Sequence, residues 1–135
     1  MRVMIEVTAA VIRKRGRVLI CQRPEGKSCA LLWEFPGGKI EPGESAADCI
    51  ARECREELGV TLESAMPLTE LAHEYPDRTV HLHFFLAGIG AQEPQRKEHR
   101  AFAWIAPGEE GNYAFCPADA AMLARIGLDR IIHLT

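Results

Sequence analysis

The segment Ser45–Gly59 constrains the fold of this 135-residue chain most strongly, because it predicts one helix with two chemically different faces. Ser45 can cap the first turn, with Asp48 three residues on, and Gly59 is typical of a left-handed cap at the C-terminal end. One face is apolar at helical spacing and predicts a buried stripe of Ala47, Ile50, Ala51, Cys54 and Leu58. Other elements of the fold must therefore pack against this stripe.

The second face of the predicted helix carries three carboxylates, Glu53, Glu56 and Glu57. Carboxylates three and four residues apart repel one another by roughly a few tenths of a kcal/mol per pair, and Arg52 and Arg55 offset part of this cost. A converging trio supplies the oxygen ligands that Mg²⁺ prefers. The helix alone is equally compatible with a metal-binding face and with a solvated charged face.

The loop before the helix favours the metal-binding interpretation. Gly37–Gly38 predicts backbone with positive φ that can approach a ligand closely, and Pro42–Gly43 predicts a turn directly before the helix. Backbone N–H groups at a helix N-terminus bind anions, and Lys39 adds a positive charge. The loop and the helix together therefore predict a metal-bridged phosphate site.

Strands are predicted in six segments with apolar, β-branched or alternating residues: Val7–Ile12, Arg17–Cys21, Trp33–Phe35, Leu71–Tyr75, Thr79–Leu86 and Ala101–Ile105. The first two flank the turn Lys14–Gly16, and the fourth and fifth flank Pro76–Asp77, so each pair predicts a β-hairpin. A second helix is predicted to begin near Pro117 and to end at Gly127. Strands interleaved with two helices predict an α/β or α+β fold with a mixed sheet.

Charge and hydropathy argue against several classes of function. The net charge of -3 and the pI near 6.0 disfavour long nucleic-acid polymers as partners, but not a small phosphorylated ligand. No apolar stretch approaches the length of a membrane span, and the N-terminal residues lack the pattern of a signal peptide. Five cysteines without a C-x-x-C pair predict reduced thiols and a cytoplasmic protein, with Cys49 and Cys54 as buried apolar side chains.

Two histidines, His81 and His83, alternate with apolar residues of one predicted strand and therefore share one face of the sheet. They could in principle bind a metal. Two histidines without a third ligand in view are more typical of a polar sheet face, and we interpret them as such.

The residues from Gly38 to Val60 resemble the Nudix box of the Nudix hydrolases at every defining position. Five residues separate Gly38 from Glu44, and seven more precede the run RECREELGV, which begins at Arg52. The flanking segments resemble the MutT branch, whose members hydrolyse nucleoside triphosphates, including oxidised guanine nucleotides: Trp33–Lys39, Glu74–Arg78 and Pro117–Asp119. The resemblance implies a single Nudix domain over residues 1–135, with the box at 38–60, folded as an α/β/α sandwich around a mixed sheet.

The resemblance also implies an activity: Mg²⁺-dependent hydrolysis of ribo- or deoxynucleoside triphosphates to the monophosphate and pyrophosphate, with Mn²⁺ as another usable cation. The expected substrates are oxidised or non-standard nucleotides, namely 8-oxo-dGTP, cytidine triphosphates or both. We expect a small nucleotide as the partner, neither a nucleic-acid polymer nor a membrane, and a monomer, with a dimer left open. The alternatives are hydrolysis of a nucleotide sugar or dinucleotide, and a nucleotide sensor that lacks catalysis.

Metal-binding and catalytic roles carry over where the residues match the family. Glu53, Glu56 and Glu57 resemble its metal ligands. The carbonyl of Gly37 and the carboxylate of Glu98 are further expected ligands, although an exposed loop position is equally compatible with Glu98. Either Glu53 or Glu98 is the expected general base, with Glu53 the first choice.

The other roles implied by the resemblance concern the loop and the substrate. Glu44 and Arg52 resemble the pair that braces loop and helix, within the structural frame set by Gly38 and Gly59. The predicted phosphate contacts are Lys39 and Arg23, and the alternative for Arg23 is a solvated arginine at a strand end.

Asp119 departs from the family pattern, because the best-known MutT proteins carry asparagine at the matching place. We predict that Asp119 and Arg78 contact the base. An ionised aspartate only accepts hydrogen bonds, which favours bases that offer N–H donors, such as the exocyclic amine of cytosine or the N1/N2 edge of guanine. Alternatively, Asp119 only stabilises the N-terminal end of the last helix.

Overall fold

Seven strands, three α-helices and one 3-10 turn (Glu110–Asn112) make up the regular structure of residues 2–135, which the computed structural model describes. The strands are β1 (Val3–Lys14), β2 (Arg17–Gln22), β3 (Trp33–Glu34), β4 (Gly37–Lys39), β5 (Ser64–Glu74), β6 (Arg78–Gly88) and β7 (Ala101–Ile105). The helices are α1 (Ala46–Leu58), α2 (Pro117–Arg125) and α3 (Leu128–Ile132). Within residues 2–135, every helix is too short or too polar to cross a membrane.

The strands form one sheet in the order β3–β2–β1–β6–β5, with β4 paired to β1 and β7 paired to β2. β1 and β6 run parallel from Val3↔Arg78 to Ile12↔Ala87, and the other pairs are antiparallel. Helix α1 packs on one face of the sheet, and α2 and α3 pack on the other. The predicted α/β/α sandwich with a mixed sheet is therefore confirmed.

Both predicted hairpins are confirmed, with strands longer than predicted. β1 and β2 enclose Arg15–Gly16, where φ is 53° and 76°. β5 and β6 pair from Ser64↔Gly88 to Glu74↔Thr79. The strands predicted from Val7 and Leu71 begin later than β1 and β5, because Glu6 and Glu70 interrupt the apolar pattern although both lie inside paired strands.

Alternate residues of β1 point to opposite faces of the sheet and pack into two separate hydrophobic cores. The core between the sheet and α2–α3 includes Ala9, Val11, Leu82, Met122 and Ile131. The core between the sheet and α1 includes Ala10, Ile12, Ile50, Leu58 and Phe85. Each face of the sheet is therefore stabilised by burial of its own apolar side chains.

The ends of α1 are those predicted from the sequence. Ser45 Oγ accepts a hydrogen bond from the Asp48 backbone N–H at 3.1 Å, and Gly59 ends the helix with φ 67°. Most of the predicted apolar stripe is buried or half-buried, but Ala47 is exposed. The first turn packs on β1 through Cys49 instead, whose Sγ lies 3.2 Å from Thr8 Oγ1.

The C-terminal region contains a helix that the sequence analysis missed. α2 begins at Pro117 as predicted, but it ends at Arg125. Gly127 is not its terminator: with φ -63° and ψ 151°, Gly127 is the N-cap of α3. α3 has five residues, too few for a periodic pattern, yet it buries Leu128 and Ile131.

Candidate functional site

Gly37 and Gly38 bring β4 into close contact with β1 and α1. The predicted positive φ is wrong at both glycines, because they lie in extended backbone paired with Ala9 and Thr8. The close approach at Gly37 is to β1, where a Cβ would overlap the Thr8 carbonyl oxygen, and the approach to a ligand stays a prediction. A Cβ at Gly38 would lie 2.5 Å from the Glu53 carboxyl carbon. The glycine at position 38 therefore leaves the space that the Glu53 carboxylate needs.

Arg52 joins the loop before α1 to the carboxylates on α1. Its Nε and Nη2 donate to the two carboxylate oxygens of Glu44 at 2.7 and 3.0 Å. Its Nη1 donates to Glu53 at 2.9 Å and to Glu56 at 3.0 Å. The hydrogen bond from Arg52 is the main cause that lowers the pKa of Glu44 to about 2. These contacts are those expected of a brace between loop and helix.

The three carboxylates of α1 differ in burial. The side chains of Glu53 and Glu57 are 14% and 17% exposed, whereas that of Glu56 is 57% exposed. Burial and then the charge of Glu53 raise the pKa of Glu57 to about 9. Glu98 lies on the exposed loop before β7, and its charge also raises the pKa of Glu57. Without a cation, burial and the neighbouring carboxylates therefore favour the protonated form of Glu57.

This carboxylate cluster fits a divalent cation. Glu57 Oε2 is buried and has no hydrogen-bond partner in the part of the chain that the structure describes. A buried oxygen without a partner is unfavourable unless a ligand contacts it. Carboxylate oxygens are the donors that hard cations such as Mg²⁺ prefer. A cation here would favour the ionised form of Glu57 and lower the pKa that burial and repulsion raise.

Two residues that the sequence analysis did not assign, Glu34 and His99, connect the carboxylates to Arg23. His99 Nε2 lies 3.1 Å from Glu34 Oε2 and 3.9 Å from Glu57 Oε2. Arg23 Nη1 donates to both oxygens of Glu34, at 3.1 and 3.2 Å. The sequence could not pair Glu34 with His99, because 65 positions separate them and only the sheet brings them together.

A cavity of about 230 Å³ brings together the residues that were predicted to contact the substrate. Its lining includes Arg23, Lys39, Arg78 and Asp119. Gly37 and Gly38 line it as well, so the cavity extends to the strand that packs on Glu53. Glu53, Glu56, Glu57 and Glu98 are not part of the lining. The cavity therefore contains the predicted substrate contacts and Gly37, whereas the four carboxylates predicted as metal ligands lie outside its lining.

The three positively charged side chains that line the cavity differ in their partners and exposure. Arg23 is paired with Glu34, so a phosphate bound at Arg23 would share its guanidinium with that carboxylate. Lys39 is exposed. Arg78 lies 4.7 Å from the centroid of the Tyr75 ring, and its Nη1 donates to Asp77 at 2.8 Å. Arg78 and Tyr75 therefore present a flat cationic and aromatic surface to the cavity.

Asp119 is buried in the first turn of α2 and links this helix to the residues after β3. Its Oδ1 accepts a hydrogen bond from the Phe35 backbone N–H at 3.1 Å. Burial is the main cause that raises the pKa of Asp119 to about 8. The raised pKa favours the protonated form of Asp119 at neutral pH, whereas the hydrogen-bonding prediction from the sequence rests on an ionised side chain. The protonated carboxyl can donate as well as accept, as an asparagine does.

Known proteins resemble this chain over most of its length. The sequence pattern described as "NUDIX domain" matches residues 7–125. The CTP pyrophosphohydrolase of Escherichia coli strain K12 is 40% identical over 120 residues, which are 89% of this chain and 89% of that protein. The 8-oxo-dGTP diphosphatase of Haemophilus influenzae is 32% identical over 124 residues, 91% of each protein. The crystal structure of the MutT protein from Methanosarcina mazei Go1 matches with a TM-score of 0.84 and 26% identity over 98% of both chains.

Proposed function

The chain belongs to the Nudix hydrolase family, and from that membership we propose that it hydrolyses ribo- or deoxynucleoside triphosphates to the monophosphate and pyrophosphate. The observation that carries the proposal is the arrangement around Gly38. The half-buried Glu53 carboxylate packs against Gly38, and Gly38 also lines the cavity that holds the cationic side chains. A ligand with several phosphates and a base can therefore contact both the carboxylates of α1 and the cavity.

Enzymes of this family generally need a divalent metal, and here we propose Mg²⁺, with Mn²⁺ as a substitute. The residues that would hold it are Glu53, Glu56 and Glu57 of α1, with Glu98 and the Gly37 carbonyl as further ligands. When bound, such cations spread the negative charge of the phosphates and make a water molecule more acidic.

The protein's own groups position the reactants. Glu53 orients the attacking water and accepts its proton, and Arg52 holds the Glu53 carboxylate through the hydrogen bond at 2.9 Å. The exposed Glu98 is the alternative base. Arg23 and Lys39 contact the phosphates from the cavity side. Water attack breaks one phosphoanhydride bond, so that the nucleoside monophosphate and pyrophosphate leave as separate products.

The proposed substrates are oxidised or non-standard nucleotides. The two relatives described above are named for CTP and for 8-oxo-dGTP, and these are the first candidates for this chain. Arg78 and Asp119 line the cavity together with Tyr75, where a base can stack and be read by hydrogen bonds. Because Asp119 is protonated at neutral pH, it presents both a donor and an acceptor, which is compatible with either base.

The products of the first turnover test the proposed function. With Mg²⁺ and a panel of CTP, dCTP, dGTP and 8-oxo-dGTP, we expect monophosphate and pyrophosphate, and no orthophosphate, by anion-exchange chromatography. Diphosphate plus orthophosphate as first products would contradict the proposed bond. Hydrolysis restricted to nucleotide sugars or dinucleotides would assign the chain to another substrate class. Nucleotide binding without hydrolysis would indicate that the chain is a nucleotide sensor that lacks catalysis.

Replacing Arg52 with lysine should lower kcat about tenfold. A lysine is a single point charge and cannot bridge Glu44 through two nitrogens while it also holds Glu53. Steady-state kinetics on the best triphosphate of the panel measure the effect. The matched control is Arg55→Lys, an exposed position on the same helix, which should keep the wild-type rate. Equal rates for both variants would mean that Arg52 does not position Glu53.

A further inference from the structure

Glu6, His81 and His83 form a cluster on the face of the sheet that carries α1. They lie on β1 and β6, whose parallel pairing places Glu6 directly beside His81. The two histidines continue the row of Phe85, which belongs to the core on the α1 side. None of the three residues lines the proposed nucleotide cavity. The cluster therefore lies outside that cavity, and it shares no residue with the carboxylates of α1.

The imidazoles of both histidines are directed at one carboxylate oxygen. His81 Nδ1 lies 2.7 Å and His83 Nε2 lies 2.8 Å from Glu6 Oε1. One ligand atom from each of the three residues lies within 4.8 Å of the other two. A zinc ion binds such atoms at about 2 Å, so one ion could contact all three after small side-chain rotations. The strand pairing fixes the backbone that carries these ligands.

Glu70 of β5 gives the histidines a second carboxylate. Its Oε1 lies 2.9 Å from His81 Nε2, the ring nitrogen that faces away from Glu6. It also lies 3.8 Å from His83 Nδ1. Metal-binding histidines typically donate their other ring N–H to a carboxylate, which fixes the tautomer and the ring orientation. Glu70 is placed to do this for His81 and is within reach of His83.

The cluster is also accessible from solvent. The side chains of His81, His83 and Glu6 are 27%, 20% and 44% exposed. A groove of about 310 Å³, lined by Glu70, His83 and the first residue of α1, lies next to it. A water molecule or an added ligand can therefore complete the coordination of a bound ion.

We propose that Glu6, His81 and His83 bind a divalent cation of the Zn²⁺ class, with Glu70 orienting the imidazoles. Two imidazoles and one carboxylate with an open fourth position are a donor set that suits Zn²⁺, whereas Mg²⁺ prefers oxygen ligands. The sequence analysis assigned the two histidines to a polar sheet face because no third ligand was in view. Glu6 lies 75 positions before His81, and only the pairing of β1 with β6 brings it close.

Calorimetric titration of the metal-free full chain with Zn²⁺, in excess Mg²⁺ to occupy the carboxylates of α1, tests this proposal. We expect one Zn²⁺ per chain and a rise in Tm on binding. The double substitution His81→Gln with His83→Gln should weaken Zn²⁺ affinity at least about 100-fold and abolish the rise in Tm, whereas Glu70→Gln should weaken it about tenfold. The control His133→Gln changes an exposed histidine outside the cluster and should bind as wild type does.

Two results would overturn the proposal. Unchanged Zn²⁺ affinity in the double variant would place the ion on other ligands, and no Zn²⁺ binding in excess Mg²⁺ would leave the cluster as a network of ion pairs. Circular dichroism of the metal-free double variant checks its folding. If it does not fold, the single variants Glu6→Gln and His83→Gln carry the test, with at least about tenfold weaker binding expected. A folded variant with both histidines replaced should still hydrolyse triphosphates with Mg²⁺. A negative result for the Zn²⁺ site would therefore leave the proposed function untouched, and loss of the proposed function would leave the Zn²⁺ site untouched.

Discussion

Replacing Glu53 with glutamine should lower kcat by roughly 10²–10⁴, because the amide keeps the size of the side chain but cannot accept a proton from water. The substitution also removes one charge from the proposed metal ligands. Glu53 touches Gly38 and accepts a hydrogen bond from Arg52, so the change acts where loop and helix meet. Single-turnover kinetics with saturating Mg²⁺ and triphosphate measure the chemical step.

The fold of this variant should survive, because Glu53 lies off the buried stripe of α1. In the absence of metal the pKa of Glu57 should be lower in the variant than in the wild type, since a neutral amide no longer opposes ionisation of the Glu57 carboxyl. The matched control is Glu93→Gln, which changes an exposed glutamate outside the site and should leave kcat unchanged. Near-native turnover by a folded Glu53→Gln enzyme would mean that Glu53 neither orients the water nor accepts its proton. Glu98 would then be the remaining candidate for the general base.

Replacing Asp119 with asparagine should change the pH dependence of the free energy of unfolding. The pKa of Asp119 is about 8 in the folded chain, raised mainly by burial from an ordinary value of 3.8. Between these values the carboxyl has lost its proton in the unfolded chain and keeps it in the folded chain, so the contribution of Asp119 to wild-type stability falls as pH rises. The loss amounts to as much as about 1.4 kcal/mol per pH unit and is complete near pH 8.

Asparagine has no proton to lose, and its amide oxygen can still accept the Phe35 N–H. The free energy of unfolding of the variant should therefore rise relative to that of the wild type between about pH 4 and pH 8. Urea denaturation of both metal-free proteins at several pH values measures this difference. A difference that is constant over this range would mean that Asp119 is ionised in the folded chain.

Substrate preference separates a base-reading Asp119 from a structural one. If Asp119 contacts the base, Asp119→Asn should change the ratio of kcat/KM for dCTP to that for 8-oxo-dGTP by at least about tenfold above pH 8, or ~1.4 kcal/mol. The effect should be smaller near pH 6, where both side chains donate and accept. Equal effects on all substrates at both pH values would mean that Asp119 does not recognise the base. Its role would then be structural, through the hydrogen bond that links α2 to Phe35.

The local features of the site were predictable from sequence because they depend on spacing along one element. The caps of α1 at Ser45 and Gly59 and the carboxylates on one face of the helix follow from a period of 3.6 residues. Spacing could not distinguish the buried Glu57 from the exposed Glu56, because both lie outside the apolar stripe and only the packing of loops on α1 separates them.

The features that sequence analysis missed depend on contacts between distant elements. The hydrogen bond between Glu34 and His99 joins β3 to the loop before β7, which is 65 positions away in the chain. The hydrogen bond between Glu6 and His81 likewise joins β1 to β6, which is 75 positions away. The protonation of Asp119 depends on the cavity walls that bury it, which no local pattern reports. The conformation of Gly37 and Gly38 follows from their pairing with β1, which overrides the freedom of glycine.

The two cores on opposite faces of the sheet have an evolutionary consequence. The proposed base pocket lies on the side of Ala9 and α2, whereas the carboxylates lie on the side of Ala10 and α1. Mutations that accumulate on the α2 side can therefore reshape the pocket while the packing of α1 is preserved, because neighbouring residues of β1 face different layers. Related proteins could thus acquire new nucleotide preferences through substitutions on the α2 side of the sheet, while selection preserves the carboxylates on the α1 side.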